Sequence, residues 1–236
     1  MSKKLKEEEG KKISEISEIK KLIREVNLKN KKNLERLTLV AENQAEKLRQ
    51  AESVIESLVR IQGMYLVNKP KEEVFDQLLA ILLEESGSEY GFIGEVLHDE
   101  KSQPYLKTFA ITNISWSPET KKFYEENAPQ GLEFRNLETL FGVTLKTGQK
   151  IIANDAKKHP KAGGIPEGHP PLKAYLGVPL FINNKMIGMF GVSNRKGGYS
   201  EELVLLLEPL INSVAQLVFA QRKDCYTCVN GKKKNS

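Results

Sequence analysis

Cysteine is nearly absent from this chain of 236 residues, which contains only Cys225 and Cys228. Both follow the last apolar segment, so no disulfide framework holds the fold together. Long apolar runs are also absent, because stretches such as Leu203–Leu207 are far shorter than the roughly 18 residues that a membrane helix needs. The lysine-rich start lacks the apolar core of a signal peptide. The sequence therefore predicts a cytoplasmic protein with no membrane span.

The motifs of common enzyme classes are missing too. The chain has no phosphate-binding loop, no glycine-rich dinucleotide motif after a strand, no HExxH zinc motif and no nucleophile elbow. A triad of Ser193, His169 and Asp155 can be written, but no serine stands in a strained turn between small residues, so we reject it. The sequence therefore predicts no enzyme and no catalytic residue.

The two cysteines form the only spacing in the chain that is typical of metal or redox sites. Cys225 and Cys228 supply half of a zinc site, and no second pair or nearby histidine completes it. There are two alternatives to an exposed tail. In one, a dimer supplies four thiolates to a metal site; in the other, the pair cycles between thiol and disulfide. We favour the exposed tail and predict no metal site.

Charge is distributed unevenly along the chain. Residues 1–65 carry a net charge of +4, residues 66–220 of −3 and residues 221–236 of +4. A nucleic-acid-binding domain needs a basic face that displaces counterions from phosphates, and the middle region is slightly acidic. We therefore predict no nucleic-acid partner.

The first sixty residues have the pattern of one long helix, without proline and with a single glycine before Gly63. Alternate steps of three and four residues from Ile16 meet ten apolar residues in fourteen, and the amides of Asn30 and Asn33 lie in the same seam. Since an isolated helix has nothing to bury such a stripe against, the pattern predicts a homodimeric coiled coil. A single charged helix and a disordered arm are the alternatives. The seam consists of Ile16, Ile19, Ile23, Val26, Asn30, Asn33, Leu37, Val40, Gln44, Lys47, Ala51, Val54, Leu58 and Ile61.

A compact domain is predicted for residues 63–222, between the coiled-coil helix at residues 1–62 and a basic tail at residues 223–236. Its first helix lies within residues 68–88, with Asn68 as cap, Pro70 in the first turn and Gly87 as the stop. The remaining predicted elements are strands at 90–98, 104–113, 150–154, 174–182 and 185–194, and helices at 117–129, 137–149 and from Ser200 to about Gln221.

This order predicts an α+β fold: an antiparallel β-sheet with helices on one face, preceded by the long helix. Asn183 and Asn184 form the tight turn of a hairpin, and Pro209 should kink the last helix. Residues 155–171 form an irregular loop whose length is typical of functional or mobile segments. Gly188 and Gly191, inside a strand, leave room for a close approach by a backbone or a ligand.

Residues 53–222 resemble a GAF domain, the small-molecule sensor module of cyclic-nucleotide phosphodiesterases, phytochromes, and many bacterial histidine kinases and nucleotide cyclases. The resemblance is carried by YGFIGEVL, AITNISW, GLEFRNLETLFG, IIAND, GHPPLKAYLGVPL, MIGMFGVSNRKGGYSEE and the closing amphipathic helix. It implies a GAF or PAS-like sheet with loops that close over a pocket on the side opposite the helices.

The resemblance also implies a set of pocket-lining residues in this chain. For each one a structural role is the alternative: core packing for the aromatics, a cap or turn for the aspartate and asparagine, and a hydrogen bond that pins the long loop for the histidine. The candidates are Phe92, Trp116, Phe141, Asp155, His169, Tyr175 and Asn194.

Departures from characterised members of the family restrict the ligand. No cysteine lies inside the domain, so a bilin could not be attached through a thioether. The cysteines that the reductases of the family use are missing from this domain as well. The signature of the cyclic-nucleotide-binding members has no counterpart, and His98, His159 and His169 are poorly placed to bind haem. No cofactor is therefore assigned.

We expect a non-enzymatic signalling protein in which an unidentified small molecule, bound by the GAF domain, changes helix packing in a homodimer. A downstream kinase or cyclase is a possible partner. The alternatives are a GAF-fold scaffold without ligand, and a stand-alone input module of a histidine kinase or nucleotide cyclase system.

Overall fold

A computed structural model of the chain describes the backbone of residues 2–66, 69–112, 121–122, 130–164 and 171–231, and within these ranges the side chains from residue 8 to residue 222, apart from that of Tyr65 and Leu66. The chain divides into two compact units, Met1–Ala51 and Glu52–Ser236.

The first unit is helical and belongs to helix α1, Ser2–Leu66. Its apolar side chains lie in solvent: the exposed fraction is 52% for Ile16, 53% for Val26 and 65% for Leu37. A helix in a single chain has no partner against which to bury such a stripe. The long helix is present, and the coiled coil that its stripe predicts stays a prediction for the first unit. Val54 and Ile61, which were also predicted for the seam, are instead buried in the core of the second unit.

The second unit is built around a six-stranded sheet in which every neighbouring pair of strands is antiparallel. The strand order is β3-β2-β1-β6-β5-β4, so β1 and β6 lie at the centre and β5 is an interior strand beside them. The predicted α+β fold is confirmed. Its elements are α2 (Lys71–Ser86), β1 (Tyr90–His98), β2 (Pro104–Ile111), β3 (Glu133–Phe134), α3 (Leu140–Thr147), β4 (Ile151–Ala153), a 3₁₀ turn (Ala156–Lys158), β5 (Tyr175–Ile182), β6 (Lys185–Ser193) and α4 (Glu201–Gly231).

One face of the sheet, here called the helix face, packs against α2, α4 and the end of α1. Strand residues that alternate along β5 and β6, such as Leu176 and Phe190, are completely buried there, as are Leu207 and Leu210 of α4. Helices α2 and α4 also contact each other. Side chains of successive strand residues point to opposite faces, so the residues between these lie on the other side.

The other face, here called the cavity face, carries α3 and the loops before and after it. Thr139 caps α3 by accepting a hydrogen bond from the amide of Gly142 at 3.3 Å, and Gly148 ends the helix with a left-handed backbone. Two small apolar clusters lie on this face, around Tyr175 and around Met189. The main core is therefore on the helix face.

Several predicted turns and caps are present. Asn183 and Asn184 have φ angles of 50° and 61° in the β5–β6 hairpin, and Gly87 ends α2 with a φ of 62°. The Ser200 hydroxyl accepts a hydrogen bond from the amide of Leu203 at the start of α4. These residues fix the ends of the elements as the sequence indicates.

Other elements differ from the prediction. Strand β3, only two residues long, was not predicted, and Pro70 stands at the N-cap of α2 and not in its first turn. Helix α4 contains Pro209 and continues to Gly231, past the start of the predicted tail. The predicted cap Asn68 and most of the predicted helix at 117–129 lie outside the described residues.

One described helical segment, Glu201–Arg222, is long and apolar enough to cross a membrane by length and composition. The short apolar run Leu203–Leu207, considered alone, did not indicate a segment of that length. Within the second unit this segment packs Leu207, Leu210 and Val214 completely against the helix face of the sheet. Its apolar character matches its role as a core helix.

Candidate functional site

A cavity of about 610 Å³ opens on the cavity face of the sheet, within the second unit. Its size is within the range of small-molecule sites in proteins. Strands β1, β5 and β6 form one wall, α3 and β3 a second, and the loop that follows the 3₁₀ turn a third. The walls include Tyr90, Phe92, Ile111, Thr112, Leu132, Phe134, Asn136, Thr139, Leu140, Phe141, Ala156, Gly163, Gly164, Leu172, Tyr175, Gly191 and Ser193.

The sheet side of the cavity is formed by Tyr175 lying across a pair of glycines. Gly177 of β5 stands opposite Gly191 of β6 in the antiparallel register. A Cβ on Gly177 would lie 2.9 Å from Cε1 of Tyr175, and one on Gly191 would lie 2.7 Å from its hydroxyl oxygen and 2.6 Å from the ring of Phe92. Side chains at these glycines would displace the two rings, so both positions require glycine.

The hydroxyl group of Tyr175 is buried without a hydrogen-bond partner among the described residues. The residue is 5% exposed. Burial, and to a smaller extent the nearby Tyr199, raise the pKa of the Tyr175 hydroxyl far above its ordinary value. The group therefore stays protonated and keeps its capacity to donate a hydrogen bond.

Three phenylalanine rings from three different elements form an aromatic wall. The rings of Phe92 and Phe134 lie 5.4 Å apart in an edge-to-face arrangement, and those of Phe134 and Phe141 also lie 5.4 Å apart, tilted by 44°. Such contacts add to the stabilisation from apolar burial and fix the ring orientations. This wall offers a ligand a rigid apolar surface.

The ionised side chains among the described lining residues are Glu133, Arg135 and Lys157, and they lie near solvent. Arg135 pairs with Glu133 at 2.7 Å, with exposed side-chain fractions of 52% and 39%, and its guanidinium covers the ring of Tyr105 at 3.9 Å. Lys157 is exposed. Charge is therefore concentrated at the mouth of the cavity.

The loop at 159–164, which closes one side of the cavity, is tied to the start of α3 by charge. Glu138 forms ion pairs with Lys146 of α3 and with Lys161 of the loop. Hydrogen bonds from Lys146 and then Lys161 lower the pKa of Glu138 to about 2. Gly164 of the same loop packs against the side chain of Thr139 and has a φ of 69°.

The seven predicted pocket residues fall into three groups. Phe92, Phe141 and Tyr175 line the cavity together. Trp116 and His169 lie outside the described residues. Asp155 and Asn194 are described but do not belong to the cavity lining.

Asp155 makes a local contact beside the 3₁₀ turn. Its carboxylate pairs with Lys158 at 2.7 Å, and that lysine lowers the pKa of the carboxyl. The aspartate stands at the N-cap position of the turn, but its side chain makes no capping hydrogen bond. The exposed side chain thus points to a neighbour on its own turn.

Asn194 holds together three segments of the second unit. It is 7% exposed; its amide nitrogen donates to Glu89 at 3.1 Å and to the carbonyl oxygen of Pro171 at 3.3 Å, and its oxygen accepts from the amide of Lys173 at 2.8 Å. Its φ of 66° lies in the left-handed region that asparagine tolerates. All side-chain polar atoms are thereby used to position the chain that enters β5.

Sequence reasoning missed several residues of the cavity. Phe134, which joins the aromatic wall, belongs to a strand too short for its alternation to be seen. Leu172 directly follows two prolines and precedes a strand, and no pattern distinguishes it from a linker residue. Gly177 was quoted within the motif GHPPLKAYLGVPL, but its pairing with Gly191 depends on the strand register.

Within the part of the chain that the structure describes, no group of three or more histidine, cysteine, aspartate or glutamate residues is placed to hold a metal ion. The cavity instead combines aromatic walls with buried hydroxyl groups, of which that of Tyr175 has no partner among the described residues. Such a site suits the binding of an organic molecule.

The fold and the cavity define an α+β module with a cavity on one face of an antiparallel sheet. The profile of the GAF domain family matches residues 68–218. This chain belongs to the GAF domain family.

Among curated proteins, the chain is similar to the methyl sulfide methyltransferase-associated sensor of Methanosarcina acetivorans, with 32% identity over 85 residues. These residues are 36% of this chain, and the match spans only 8% of the length of that relative.

Solved structures share the fold at low sequence identity. The GAF domain of a phosphoenolpyruvate-protein phosphotransferase from Coxiella burnetii superimposes with a TM-score of 0.58 at 16% identity, over 75% of this chain and 98% of that one. The free methionine-R-sulfoxide reductase of Neisseria meningitidis, solved with its substrate, gives 0.53 at 17% identity, over 74% and 93%. These likenesses establish the fold alone.

Proposed function

We propose that this protein is a regulatory GAF module that binds a small organic molecule in the cavity and transmits the binding event through its helices. The cavity of about 610 Å³ carries the proposal, because strands of the sheet, a helix and a loop converge on it. Membership of the GAF family and the similarity to a protein named as a sensor support the same reading.

We propose further that the module is not an enzyme. The residues before Cys225 contain no cysteine, the described side chains that are ionised at the cavity are solvent-exposed, and the hydroxyl of Tyr175 is buried and protonated. A general acid or base needs a pKa near the operating pH. The reductase of Neisseria meningitidis is an enzyme on the same fold, and its 17% identity extends only to the fold.

A direct contact supports transmission from the cavity to α4. Arg222 of α4 pairs with Glu95 of β1 at 3.0 Å, and a terminal nitrogen of the same guanidinium donates to the carbonyl oxygen of Val96. Both charged side chains are largely buried, with exposed fractions of 21% and 17%. Because β1 also carries Phe92, a ligand that displaces this ring acts on the strand that holds α4.

The second part of the proposal is a homodimer formed by α1. The exposed stripe of the first unit has the period of a coiled-coil seam and includes Ile16, Ile23, Val26 and Leu37. A ligand shifts a conformational equilibrium only when it binds the two states with different affinities. In a dimer, two packings of the helices can be those two states. A kinase or cyclase that reads the helix packing is the class of downstream partner proposed.

Thermal unfolding tests the binding site. The small-molecule fraction of an extract from the cells that make the protein is expected to raise the Tm of the wild type by several degrees, because a ligand at about 100 times its Kd stabilises by about 2.7 kcal/mol. Leu172→Trp fills the cavity and should abolish the shift. Leu205→Trp places the same ring on an exposed site of α4 and should retain it.

An unshifted wild type, or equal shifts in both tryptophan variants, would contradict a ligand in this cavity. That result favours the alternative of a GAF-fold scaffold, which needs only the exposed stripe on α1.

Light scattering after gel filtration tests the dimer. The wild type should have twice the mass of one chain, and Val26→Asp with Leu37→Asp should reduce it to one chain, because charges in the seam cannot be buried together. Leu28→Asp with Leu39→Asp introduces the same charges off the seam, at residues that are 57% and 59% exposed, and should remain dimeric. A wild type that elutes as a monomer would remove this part of the proposal.

A further inference from the structure

Among the described residues that line the cavity, Tyr175 carries the one buried side-chain polar atom without a hydrogen-bond partner. Among the described residues, three buried side-chain atoms have no hydrogen-bond partner: the hydroxyls of Thr144 and Tyr175 and Nε of Arg195. Of the three, only Tyr175 belongs to a residue that lines the cavity. A buried polar group without a partner destabilises the fold, so its retention calls for a specific explanation.

The position of this hydroxyl is fixed by its neighbours. It lies 2.7 Å from the Cβ position of Gly191, beside the ring of Phe92, and the glycine pair Gly177 and Gly191 makes the space that the tyrosine ring occupies. Tyr175 also packs in the cluster that contains Leu140 and Ala156. The hydroxyl is therefore presented by a rigid support and not by a mobile side chain.

The hydroxyl is a donor and not an anion. Burial raises its pKa, and no described cation contacts it, so the proton stays on the oxygen at physiological pH. A ligand atom that satisfies it must accept a hydrogen bond.

The surroundings of the hydroxyl exclude a charged group at that end of the ligand. The ionised side chains among the described lining residues are exposed, the buried polar ones, Thr139 and Ser193, are uncharged, and the guanidinium of Arg135 is paired and half-exposed at the mouth. An anion buried without a counter-charge costs far more than a neutral acceptor does.

We propose that the cavity selects a neutral, mainly apolar molecule with one hydrogen-bond-accepting carbonyl oxygen, which the hydroxyl of Tyr175 recognises. The inference rests on the proposed function and adds the chemical class of the ligand to it. A ketone or an ester attached to an aromatic ring belongs to this class, and a carboxylate or a phosphate at the inner end does not.

Fluorescence titration with Prodan, a neutral naphthyl ketone, tests the inference. The emission of this probe moves to the blue in an apolar site and to the red when its carbonyl accepts a hydrogen bond. We expect saturable binding to the wild type, and in Tyr175→Phe a Kd raised about tenfold together with bluer emission of the bound probe, from the loss of one hydrogen bond. The Tm of the free variant should be unchanged or higher.

A matched pair of competitors tests charge without any substitution in the protein. Methyl 2-naphthoate keeps the carbonyl and is neutral, whereas 2-naphthoate has the same ring and an ionised carboxylate. The ester should displace Prodan from the wild type, and the carboxylate should need at least about a tenfold higher concentration. A carboxylate that competes as well as the ester would overturn the inference even if Tyr175→Phe failed to fold.

The outcomes separate this inference from the proposed function. If Prodan binds Tyr175→Phe as it binds the wild type while Leu172→Trp loses binding, the cavity stands as a binding site and the role of Tyr175 is refuted. If Prodan does not bind the wild type, or binds Leu172→Trp equally well, the ligand class is refuted. The thermal shift with the cell extract then decides the proposed function by itself.

Discussion

The two faces of the sheet use the same strands for different purposes. Along β5, Leu176 is buried against the helices while Tyr175 and Gly177, one residue away on either side, lie on the cavity face. The helix face contains large apolar side chains that fill space, including Phe190, which is completely buried. The cavity face contains glycines, aromatic walls and a hydroxyl without a partner among the described residues.

The difference shows how one alternating sequence separates stability from binding. Close packing on the helix face contributes most of the free energy of folding, because apolar burial scales with area. The cavity face keeps an open volume and an unsatisfied donor, both of which reduce stability. Substitutions on the two faces should therefore have different consequences.

The largest expected effect on stability is on the helix face. Phe190→Ala should lower the free energy of unfolding by about 3–5 kcal/mol, because a buried ring is replaced by a cavity. Phe141→Ala, at a half-buried ring that already borders open space, should lower it by about 1–2 kcal/mol. Urea unfolding measures both. Equal losses would contradict the assignment of the main core to the helix face.

The next effect concerns the polar contacts that position the chain entering β5. Asn194→Ala should lower the free energy of unfolding by about 2–3 kcal/mol, because the amide of Lys173 and the side chain of Glu89 lose their partner. Asn184→Ala is the control, since it has a similar φ of 61° and is exposed, and should cost less than about 1 kcal/mol. If Asn194→Ala lowers the free energy of unfolding as little as its control does, the side-chain hydrogen bonds of Asn194 do not hold the chain that enters β5.

A pair of tyrosines tests whether a missing partner matters. Tyr199, on the helix side, is 3% exposed, and its hydroxyl bonds to that of Ser88 at 2.8 Å and accepts from the amide of Arg195 at 3.3 Å. Tyr199→Phe should lower the free energy of unfolding by about 1 kcal/mol, whereas Tyr175→Phe should leave it unchanged or raise it. A comparable loss in both would mean that the hydroxyl of Tyr175 is satisfied in the free protein.

The smallest effect belongs to the ion pairs that link Glu138 to α3 and to the loop at 159–164. The pKa of Glu138 is lowered to about 2, so its contribution to stability is fully present above the ordinary carboxyl pKa of 4.5 and is lost as the pH falls through 2. In Glu138→Gln, the loosening of the loop at 159–164 that comes from protonation of Glu138 should be absent. Proteolysis or hydrogen exchange of the loop as a function of pH measures this loosening. Because the group is solvent-exposed, added salt should weaken the same contact in the wild type. Identical acid profiles for both proteins would contradict the link.

The fold was predictable because its elements carry local signals. Alternation and apolar runs marked β1, β2, β5 and β6, and Gly87, Ser200 and the asparagine pair marked their boundaries. Strand β3 escaped because two residues cannot display a period. The extension of α4 to Gly231 was missed because a basic, polar sequence gave no helical stripe to follow.

The cavity was predictable only in part, because its residues gain their meaning from distant contacts. Tyr175 was recognised as a candidate, but its unpartnered hydroxyl depends on the register between β5 and β6. Asp155 and Asn194 are polar residues beside strand ends, a pattern that suits a ligand contact and a loop support equally. Gly191 was expected to admit a backbone or ligand, and the groups that approach it are the ring of Phe92 and the hydroxyl of Tyr175.

Native mass spectrometry of the protein purified from the cells that make it tests the central claim most directly. The wild type and Leu205→Trp should each retain a non-covalent adduct of one defined mass, and Leu172→Trp, purified in parallel, should carry none. An adduct retained equally by all three proteins, or by none of them, would contradict the account that the cavity face of this sheet is a binding site.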